Sequence, residues 1–252
     1  MFNFKNQIVA ITGSSSGLGM QMAEGFAELG ATVILMARRI EKLEEVKSRI
    51  EQKGGKAYPI QLDVTNEKSI NKSLQQIIEK FGKVDVLINN AGGSKGGSIL
   101  EMTNEAWDFT MDLDLTSIFK MTRAYATEMK EKNYGRIINI ASMYGMLGTN
   151  QQQSAYHASK AGVINFSRAV AAELAPYGVT VNTICPGFFE TELTTETLNT
   201  KEFQAYCDIS VPLKRFGNAG ELNSAAIFLA AKESSYVTGI TLPVDGGFTA
   251  AK

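Results

Sequence analysis

The chain has 252 residues, of which 25 are basic and 26 acidic, so its formal net charge of −1 gives no global attraction to nucleic acid or an anionic membrane. Its length and its apolar fraction of 44% favour one large α/β domain, and two cysteines are too few for a disulfide scaffold. The N-terminus lacks the features of a signal peptide, and no apolar run approaches the roughly 18 residues that span a bilayer. We therefore expect a cytoplasmic protein that binds neither nucleic acid nor a membrane.

Short apolar runs alternate with stretches of helical period along the whole chain. The apolar runs predict strands at residues 8–11, 32–36, 57–62, 84–88, 136–141, 179–184 and 238–242. The periodic stretches predict helices at residues 17–29, 40–53, 67–81, 104–132, 154–175 and 220–231. This alternation predicts a single domain over residues 1–252, an α/β fold with a doubly wound parallel sheet (a Rossmann fold), whose ligands lie beyond the carboxyl ends of the strands.

One long segment, residues 186–217, departs from this alternation. It is rich in Thr and Glu and is too long for an ordinary connection. We predict that it is irregular and folds over the site as a substrate lid, which would exclude water from the reaction. Four of its polar residues are candidate substrate contacts: Thr191, Glu192, Thr194 and Thr195.

The first predicted strand runs directly into a glycine-rich stretch that opens the first predicted helix. In this stretch Gly13 permits a tight turn, Gly17 lets the backbone approach a pyrophosphate, and Gly19 allows the helix to pack closely on the sheet. The helix N-terminus adds unpaired N–H groups and a positive dipole end for the phosphates. The pattern therefore predicts a dinucleotide site, and the alternative is a tight turn without a ligand.

The end of the second predicted strand indicates which dinucleotide binds. NAD sites commonly carry an acid there, which bonds the ribose hydroxyls. This chain has Ala37 followed by Arg38 and Arg39, and guanidinium groups suit a 2′-phosphate that an acid would repel. We therefore predict that NADP(H) is preferred over NAD(H), with Arg38 as the main phosphate contact. The alternative is that both arginines begin a solvated helix and pair with its glutamates.

Ser142, Tyr156 and Lys160 are the candidate catalytic residues. Tyr156 and Lys160 are four residues apart on a predicted helix and so lie on one face. A phenol titrates near about pH 10, and an adjacent ammonium favours the phenolate, so the pair is suited to moving a proton. Ser142, at the end of the fifth predicted strand, is placed to bond the substrate oxygen beside the tyrosine. A lone pair of this spacing is common on exposed helix faces, and Ser142 and the glycine stretch are what favour the catalytic interpretation.

Six short motifs occur together in a fixed order along the chain. They are Thr-Gly-Ser-Ser-Ser-Gly-Leu-Gly at 12–19, Asn-Asn-Ala-Gly at 89–92, Ser142, Tyr-His-Ala-Ser-Lys at 156–160, Pro-Gly at 186–187 and Val-Asp-Gly-Gly at 244–247. In this combination the chain resembles the classical short-chain dehydrogenases/reductases over nearly its whole length. The resemblance implies alcohol–ketone interconversion by hydride transfer, with Tyr156 as acid/base and Lys160 also binding the nicotinamide ribose.

The resemblance also implies a set of cofactor contacts. Asp63 and Val64 would contact the adenine, and Thr191 would bond the carboxamide. The full set of expected cofactor-binding residues is Gly13, Ser15, Ser16, Gly17, Leu18, Gly19, Arg38, Arg39, Asp63, Val64, Asn90, Ala91, Gly92, Tyr156, Lys160, Pro186, Gly187 and Thr191.

Asp114 departs from the family pattern. The family usually has an Asn there, which holds a water that links the active-site lysine to solvent. A carboxylate still accepts hydrogen bonds from water, so we include Asp114 among the catalytic candidates. The single histidine, His157, follows Tyr156 directly and so faces elsewhere, which favours a packing role. The sequence has no metal-ligand spacing, and we expect no metal.

The substrate is predicted from the lid and from the residues after Ser142, which resemble the gluconate 5-dehydrogenase-like branch. This implies a small-molecule substrate of the sugar acid or polyol class, with Lys95 as a candidate contact to its carboxylate. The alternative is a 3-oxoacyl-[acyl-carrier-protein] reductase. By resemblance those enzymes carry two carrier-docking arginines, and this chain has Asn133 and Tyr177 in those places. A remote alternative is a catalytically silent NADP-binding protein. The resemblance further implies a homotetramer, with helices 104–132 and 154–175 and the C-terminal strand at interfaces.

Overall fold

The computed structural model describes residues 2–191 and 194–252. Its strands are β1 (Ile8–Thr12), β2 (Thr32–Ala37), β3 (Lys56–Gln61), β4 (Val86–Asn89), β5 (Gly135–Ile140), β6 (Val179–Pro186) and β7 (Thr241–Val244). Its α-helices are α1 (Gly17–Glu28), α2 (Ile40–Gln52), α3 (Glu67–Phe81), α4 (Asn104–Met111), α5 (Ser117–Glu131), α6 (Ser154–Leu174), α7 (Thr195–Leu198), α8 (Lys201–Ser210) and α9 (Asn223–Ala230).

The strands form one parallel sheet in the order β3-β2-β1-β4-β5-β6-β7. β1 pairs with β2 on one side and with β4 on the other, so the direction of winding reverses between β1 and β4. In open α/β sheets a crevice forms at such a reversal, at the carboxyl ends of the strands. The doubly wound α/β fold predicted from the sequence is therefore confirmed, and its crevice lies where the glycine stretch follows β1.

The core consists of two layers, one on each face of the sheet. Val9 and Ile11 of β1 pack with buried residues of α1, α2 and α9, whereas Ile8 and Ala10 pack with buried residues of α3, α5 and α6. Successive residues of a strand point to opposite faces, and both faces are covered here. This double burial explains why the strands read as continuous apolar runs, and it fixes their carboxyl ends as the base of the crevice.

The structure differs most from the sequence prediction in two segments, and the last strand, predicted at 238–242, is Thr241–Val244. The predicted helix 104–132 is interrupted by a π-helical turn, Asp112–Thr116, which joins α4 directly to α5. The segment predicted as irregular contains the helices α7 and α8. The side chain of Thr200 caps α8 by accepting a hydrogen bond from the Phe203 N–H at 3.2 Å, and the apolar residues of α8 recur on one face.

No helix in the described ranges is both long enough and apolar enough to cross a bilayer. Within the same ranges, no group of three or more His, Cys, Asp or Glu side chains is arranged to hold a metal ion. Cys185 and Cys207 are both buried free thiols.

Candidate active site

The glycine stretch after β1 is fastened to the end of β4 by one threonine. The Thr12 hydroxyl accepts hydrogen bonds from the N–H groups of Asn90 and Ala91, each at 2.9 Å. In return the Asn90 amide donates to the Thr12 carbonyl at 3.0 Å. These bonds hold the two strand ends on either side of the winding reversal, so they fix the floor of the crevice.

Two glycines of this stretch cannot carry a side chain. Gly13 has a φ of +66°, and a Cβ there would lie 2.9 Å from both the Ala91 Cα and the Asn90 amide nitrogen. A Cβ on Gly19 would lie 2.5 Å from the Gly13 carbonyl oxygen. The chain therefore approaches itself here as closely as backbone permits, and it leaves the N-terminus of α1 open toward the crevice.

A continuous cavity of about 900 Å³ occupies the crevice. It runs from the ends of β2 and β3, over the glycine stretch, to the ends of β5 and β6. Most residues that the sequence assigned to the site line it: Gly13, Ser15, Ser16, Gly17, Leu18, Arg38, Arg39, Asp63, Val64, Asn90, Ala91, Gly92, Ser142, Tyr156, Lys160, Pro186, Gly187 and Thr191. Gly19 and Asp114 lie behind the cavity wall. An elongated cleft over an open helix N-terminus fits a dinucleotide.

The end of the cleft beside β2 and β3 carries both arginines and Asp63. The Arg39 guanidinium donates to the Ser15 hydroxyl at 3.3 Å. Burial raises the pKa of Asp63, but hydrogen bonds from the Thr65 hydroxyl and N–H, with the Arg38 charge, lower it by more, so the pKa lies below its usual value. Asp63 is therefore an ionised acceptor. Across residues 2–191 and 194–252, neither arginine forms an ion pair, and both guanidinium charges are available to a ligand.

Ser142, Tyr156 and Lys160 meet at the other end of the cleft. The Ser142 hydroxyl oxygen, just after β5, accepts a hydrogen bond from the Tyr144 N–H at 3.2 Å, which leaves its O–H free to donate into the cavity. The Lys160 Nζ lies 5.4 Å from the centre of the Tyr156 ring and donates to the Ile140 carbonyl at 3.3 Å. The arrangement places a phenol, a hydroxyl and an ammonium group around one point of the cavity.

The π-helical turn brings Asp114 against Lys160 from behind. The Asp114 side chain is fully buried, its Oδ1 accepts the Gly93 N–H at 2.7 Å, and its Oδ2 lies 3.4 Å from the Lys160 Nζ. Among the described residues, Oδ2 has no partner with hydrogen-bond geometry, so its contact with Lys160 is a buried ion pair. π-Helical turns are rare and often occur at functional sites, and this one places the Asp114 carboxyl group against Lys160 behind the cavity wall.

The sequence interpretation missed an aromatic wall beside Tyr156, formed by Tyr144, Phe188, Phe203 and Tyr206. The Tyr144 ring centre lies 6.4 Å from those of Tyr156 and Phe188. The Phe188 ring in turn lies 5.0 Å from Phe203 and 5.9 Å from Tyr206 on α8. The signal was present in the spacing of Phe203 and Tyr206, three residues apart, which a helix places on one face.

Other predicted contacts have partners within the protein, although Thr194 also lines the cavity. The Thr194 hydroxyl donates to the Phe189 carbonyl at 2.7 Å, and the Thr195 hydroxyl donates to the Thr191 carbonyl at 2.6 Å. These two hydroxyls therefore support the lid backbone. Lys95 lies outside the cavity lining, with its Nζ 4.7 Å from the centre of the Phe109 ring. Glu192 lies outside the described residues.

His157 and the buried thiol of Cys185 have packing roles. The His157 ring stacks on Tyr144 with ring centres 4.9 Å apart, and its two nitrogens contact the Gln153 carbonyl at 2.8 Å and the Thr149 hydroxyl at 3.1 Å. Burial raises the pKa of Cys185 to about 12, so that thiol stays protonated. Neither group reaches the cavity lining.

Comparisons with known proteins agree with this geometry. The model of the family described as Enoyl-(Acyl carrier protein) reductase matches residues 13–249. The chain is similar to the 3-oxoacyl-[acyl-carrier-protein] reductase FabG of Vibrio cholerae, with 41% identity over 97% of this chain and 98% of that protein. The corresponding protein of Escherichia coli is 38% identical over 97% and 98%.

Solved structures give the same family. A short-chain type dehydrogenase/reductase from Mycobacterium marinum superposes with a TM-score of 0.93 at 36% identity, covering 98% of this chain and 97% of that one. A gluconate 5-dehydrogenase from Burkholderia cenocepacia, in complex with NADP and tartrate, gives a TM-score of 0.94 at 32% identity, covering 100% and 98%. The chain therefore belongs to the short-chain dehydrogenase/reductase family, and it is an NAD(P)-dependent oxidoreductase that interconverts a CH–OH group and a ketone.

Proposed function

We propose that the protein is an NADP(H)-dependent reductase of 3-oxoacyl thioesters. The observation that carries this proposal is the aromatic wall, because its Tyr144 and Phe188 rings line the reacting end of the cleft, where a sugar acid needs polar partners. The sequence favoured a sugar acid because the lid and the residues after Ser142 resemble the gluconate 5-dehydrogenase-like branch, with Lys95 as a candidate carboxylate contact. In the structure two of the lid hydroxyls bond the lid backbone and Lys95 lies on Phe109, so these side chains give that substrate less support. The similarity to 3-oxoacyl-[acyl-carrier-protein] reductases favours the same substrate class.

In the proposed mechanism each polar group acts on the ketone oxygen. When bound, NAD(P)H supplies the hydride to the ketone carbon. The Ser142 hydroxyl donates a hydrogen bond to the carbonyl oxygen, and the Tyr156 hydroxyl transfers its proton to that oxygen as it gains negative charge. The product is the 3-hydroxy compound, and the Tyr156 phenolate is stabilised by the Lys160 ammonium until it takes a proton from solvent.

Two further elements support this step. Asp114 holds the Lys160 ammonium at 3.4 Å, so the charge that stabilises the phenolate stays at one place. We propose that residues 186–191 and 194–217 form a lid, because the Phe203 and Tyr206 rings of α8 pack on Phe188 at the cavity edge. A closed lid would exclude water from the hydride transfer.

We propose NADP(H) as the preferred cofactor because neither arginine at the end of β2 forms an ion pair among the described residues, although the Arg38 charge acts on Asp63 at longer range. Two glutamates of α2 are paired elsewhere, Glu45 with Lys42 and Glu44 with Lys47, and Glu41 forms no ion pair with either arginine in the described ranges. The alternative, that these arginines only pair with glutamates of α2, is therefore less favoured. An unpaired guanidinium at this place suits a 2′-phosphate.

Arg38→Asp is expected to shift cofactor preference toward NADH, since it replaces a phosphate contact by a repelling charge. Charge-assisted hydrogen bonds contribute about 1.5–3 kcal/mol, so the ratio of the Kd values for NADPH and NADH should change at least about tenfold. Lys47→Asp reverses a charge on the same helix away from the cleft and serves as the control. Equal affinity of the wild type for both cofactors, unchanged in Arg38→Asp, would show that Arg38 has no phosphate to bind.

The second candidate remains a sugar acid such as 5-keto-gluconate. Its support is the similarity to a gluconate 5-dehydrogenase structure and the presence of Asn133 and Tyr177 where carrier-docking arginines were expected. The same two residues predict weak discrimination between a carrier-bound thioester and a small thioester, because a basic docking face is what an acidic carrier needs.

The kcat/KM values for an acetoacetyl thioester and for 5-keto-gluconate, each measured with NADPH, distinguish the two candidates. We expect the thioester to have the higher kcat/KM, because its apolar acyl chain fits against the aromatic wall. A higher value for 5-keto-gluconate would overturn the 3-oxoacyl proposal in favour of the second candidate. No turnover of any ketone with bound NADPH would leave the catalytically silent interpretation.

We further propose that the protein assembles as a homotetramer through α4–α5, α6 and β7. Apolar side chains stay exposed in or near these elements: Trp107, Phe119, Tyr236 and Ile240. Exposed large apolar groups that recur on such elements are typical of subunit interfaces.

A further inference from the structure

Gln153 places a free amide at the reacting end of the cleft. It lines the cavity together with Ser142 and Tyr156, and it lies three residues before Tyr156 at the N-terminus of α6. Residues three apart at a helix turn are neighbours, with about 5–6 Å between their Cβ atoms. Its side-chain amide forms no hydrogen bond with any residue in 2–191 or 194–252, and its Cγ lies beside Gly96, 3.8 Å from where a Cβ on that glycine would be.

The backbone of Gln153 is held in place by partners that serve no catalytic step. The Gln153 carbonyl accepts hydrogen bonds from the His157 N–H at 3.0 Å and, from the same residue's ring, at 2.8 Å. The preceding carbonyl, of Gln152, accepts the Gly97 N–H at 2.9 Å. Just before these residues, the Tyr144 hydroxyl donates to the Gln151 Oε1 at 2.6 Å.

Burial raises the pKa of Tyr144 to about 12. Its hydroxyl therefore stays protonated and keeps donating to Gln151. The loop is thus pinned on both sides of Gln153. The pinned backbone fixes the Cα of Gln153, so its unpaired amide can donate only within side-chain reach of this end of the cavity.

We infer that Gln153 recognises the thioester carbonyl of the substrate and so selects 3-oxoacyl compounds from other ketones. This inference rests on the proposed function. In a 3-oxoacyl thioester a single methylene separates the ketone from the thioester carbonyl, so a ketone bonded to Ser142 and Tyr156 brings the second oxygen to a neighbouring position. The side chain three residues before Tyr156 is Gln153, and its NH₂ group donates there. The aromatic wall supplies apolar contact to either kind of ketone, so it does not make this distinction.

The test compares two matched ketones with NADPH. One is acetoacetyl-N-acetylcysteamine, and the other is the thioether in which a methylene replaces its thioester carbonyl. The variants are Gln153→Met, which keeps the size and removes the amide, and Gln153→Glu, which replaces the donor by a carboxylate. Gln152→Met makes the same change one residue away, at an exposed position outside the cavity lining, and serves as the control.

For Gln153→Met we expect the kcat/KM ratio of thioester to thioether to fall roughly tenfold, the effect of one neutral hydrogen bond. Gln153→Glu should lower the ratio further, and Gln152→Met should leave it unchanged. A purely structural role for Gln153 would lower both kcat/KM values together and keep their ratio, and that result overturns the inference. A wild type that reduces 5-keto-gluconate and neither of these ketones overturns the proposed function itself, and the inference with it.

Discussion

Tyr156→Phe is expected to lose most turnover while it keeps NADPH binding. The change removes one hydroxyl, and the ring stays between Tyr144 and the Lys160 ammonium. General acid catalysis by a positioned side chain contributes about 10²–10⁴-fold, so kcat should fall by about that factor. The Kd for NADPH, from a fluorescence titration, should change little because the glycine stretch and the arginines are untouched.

A matched control separates this effect from a general loss of structure. Tyr177→Phe removes a phenol hydroxyl at the opposite end of the sheet, where the ring contacts Lys130 with its Nζ 4.5 Å from the ring centre. We expect this variant to have the kcat of the wild type. If Tyr156→Phe also kept a near-wild-type kcat, Tyr156 would not be the group that transfers the proton.

Asp114→Leu is expected to cause a large loss of stability. The substitution removes the acceptor of the Gly93 N–H and leaves the Lys160 ammonium, whose side chain is only 6% exposed, without its partner. Removing one member of a buried ion pair destabilises proteins by about 3–5 kcal/mol. The measurement is the free energy of unfolding in urea, made without cofactor because bound NADPH would itself stabilise the native state.

Two other variants calibrate this prediction. Asp114→Asn keeps an oxygen acceptor for the Gly93 N–H, so its loss should be clearly smaller than that of Asp114→Leu. Asp112→Leu changes the same π-helical turn, but the Asp112 pair with Lys120 is 46% exposed on the carboxylate side, and such pairs contribute about 0–1 kcal/mol. Equal losses for Asp114→Leu and Asp112→Leu would contradict a specific role for the buried pair.

The sequence predicted the strands of the sheet better than the structure of the lid. Continuous apolar runs such as Val-Ile-Leu-Met in β2 identify doubly covered strands, because burial on both faces leaves few other choices. The lid was predicted as irregular because its many Thr and Glu residues mask the helical spacing of Phe203, Tyr206 and Cys207. The Thr200 cap was a local signal for α8, and it was overlooked.

The candidate site was predictable where a motif carries its own chemistry. The glycine stretch and Ser142 were predicted at strand ends and Tyr156 and Lys160 on one helix face, and the structure brings them to one cavity. The aromatic wall was not predictable from spacing alone, because it joins Tyr144 after β5 to Phe188 after β6 and to α8. The contact between Asp114 and Lys160 depends on a π-helical turn, and helical periodicity gives no sign of one. Such contacts arise from tertiary packing, which sequence patterns do not contain.

The most direct test of the central claim, that this cleft transfers hydride from NADPH to a ketone with Tyr156 as proton donor, uses NADPH labelled with deuterium at the transferable position. Wild-type protein and Tyr156→Phe are each incubated with an acetoacetyl thioester, and the product is analysed by mass spectrometry. The account predicts one deuterium on the carbinol carbon of the 3-hydroxy product, formed rapidly by the wild type and slowly by Tyr156→Phe. NADPH oxidation that leaves the product unlabelled, or equal rates for the two proteins, would contradict it.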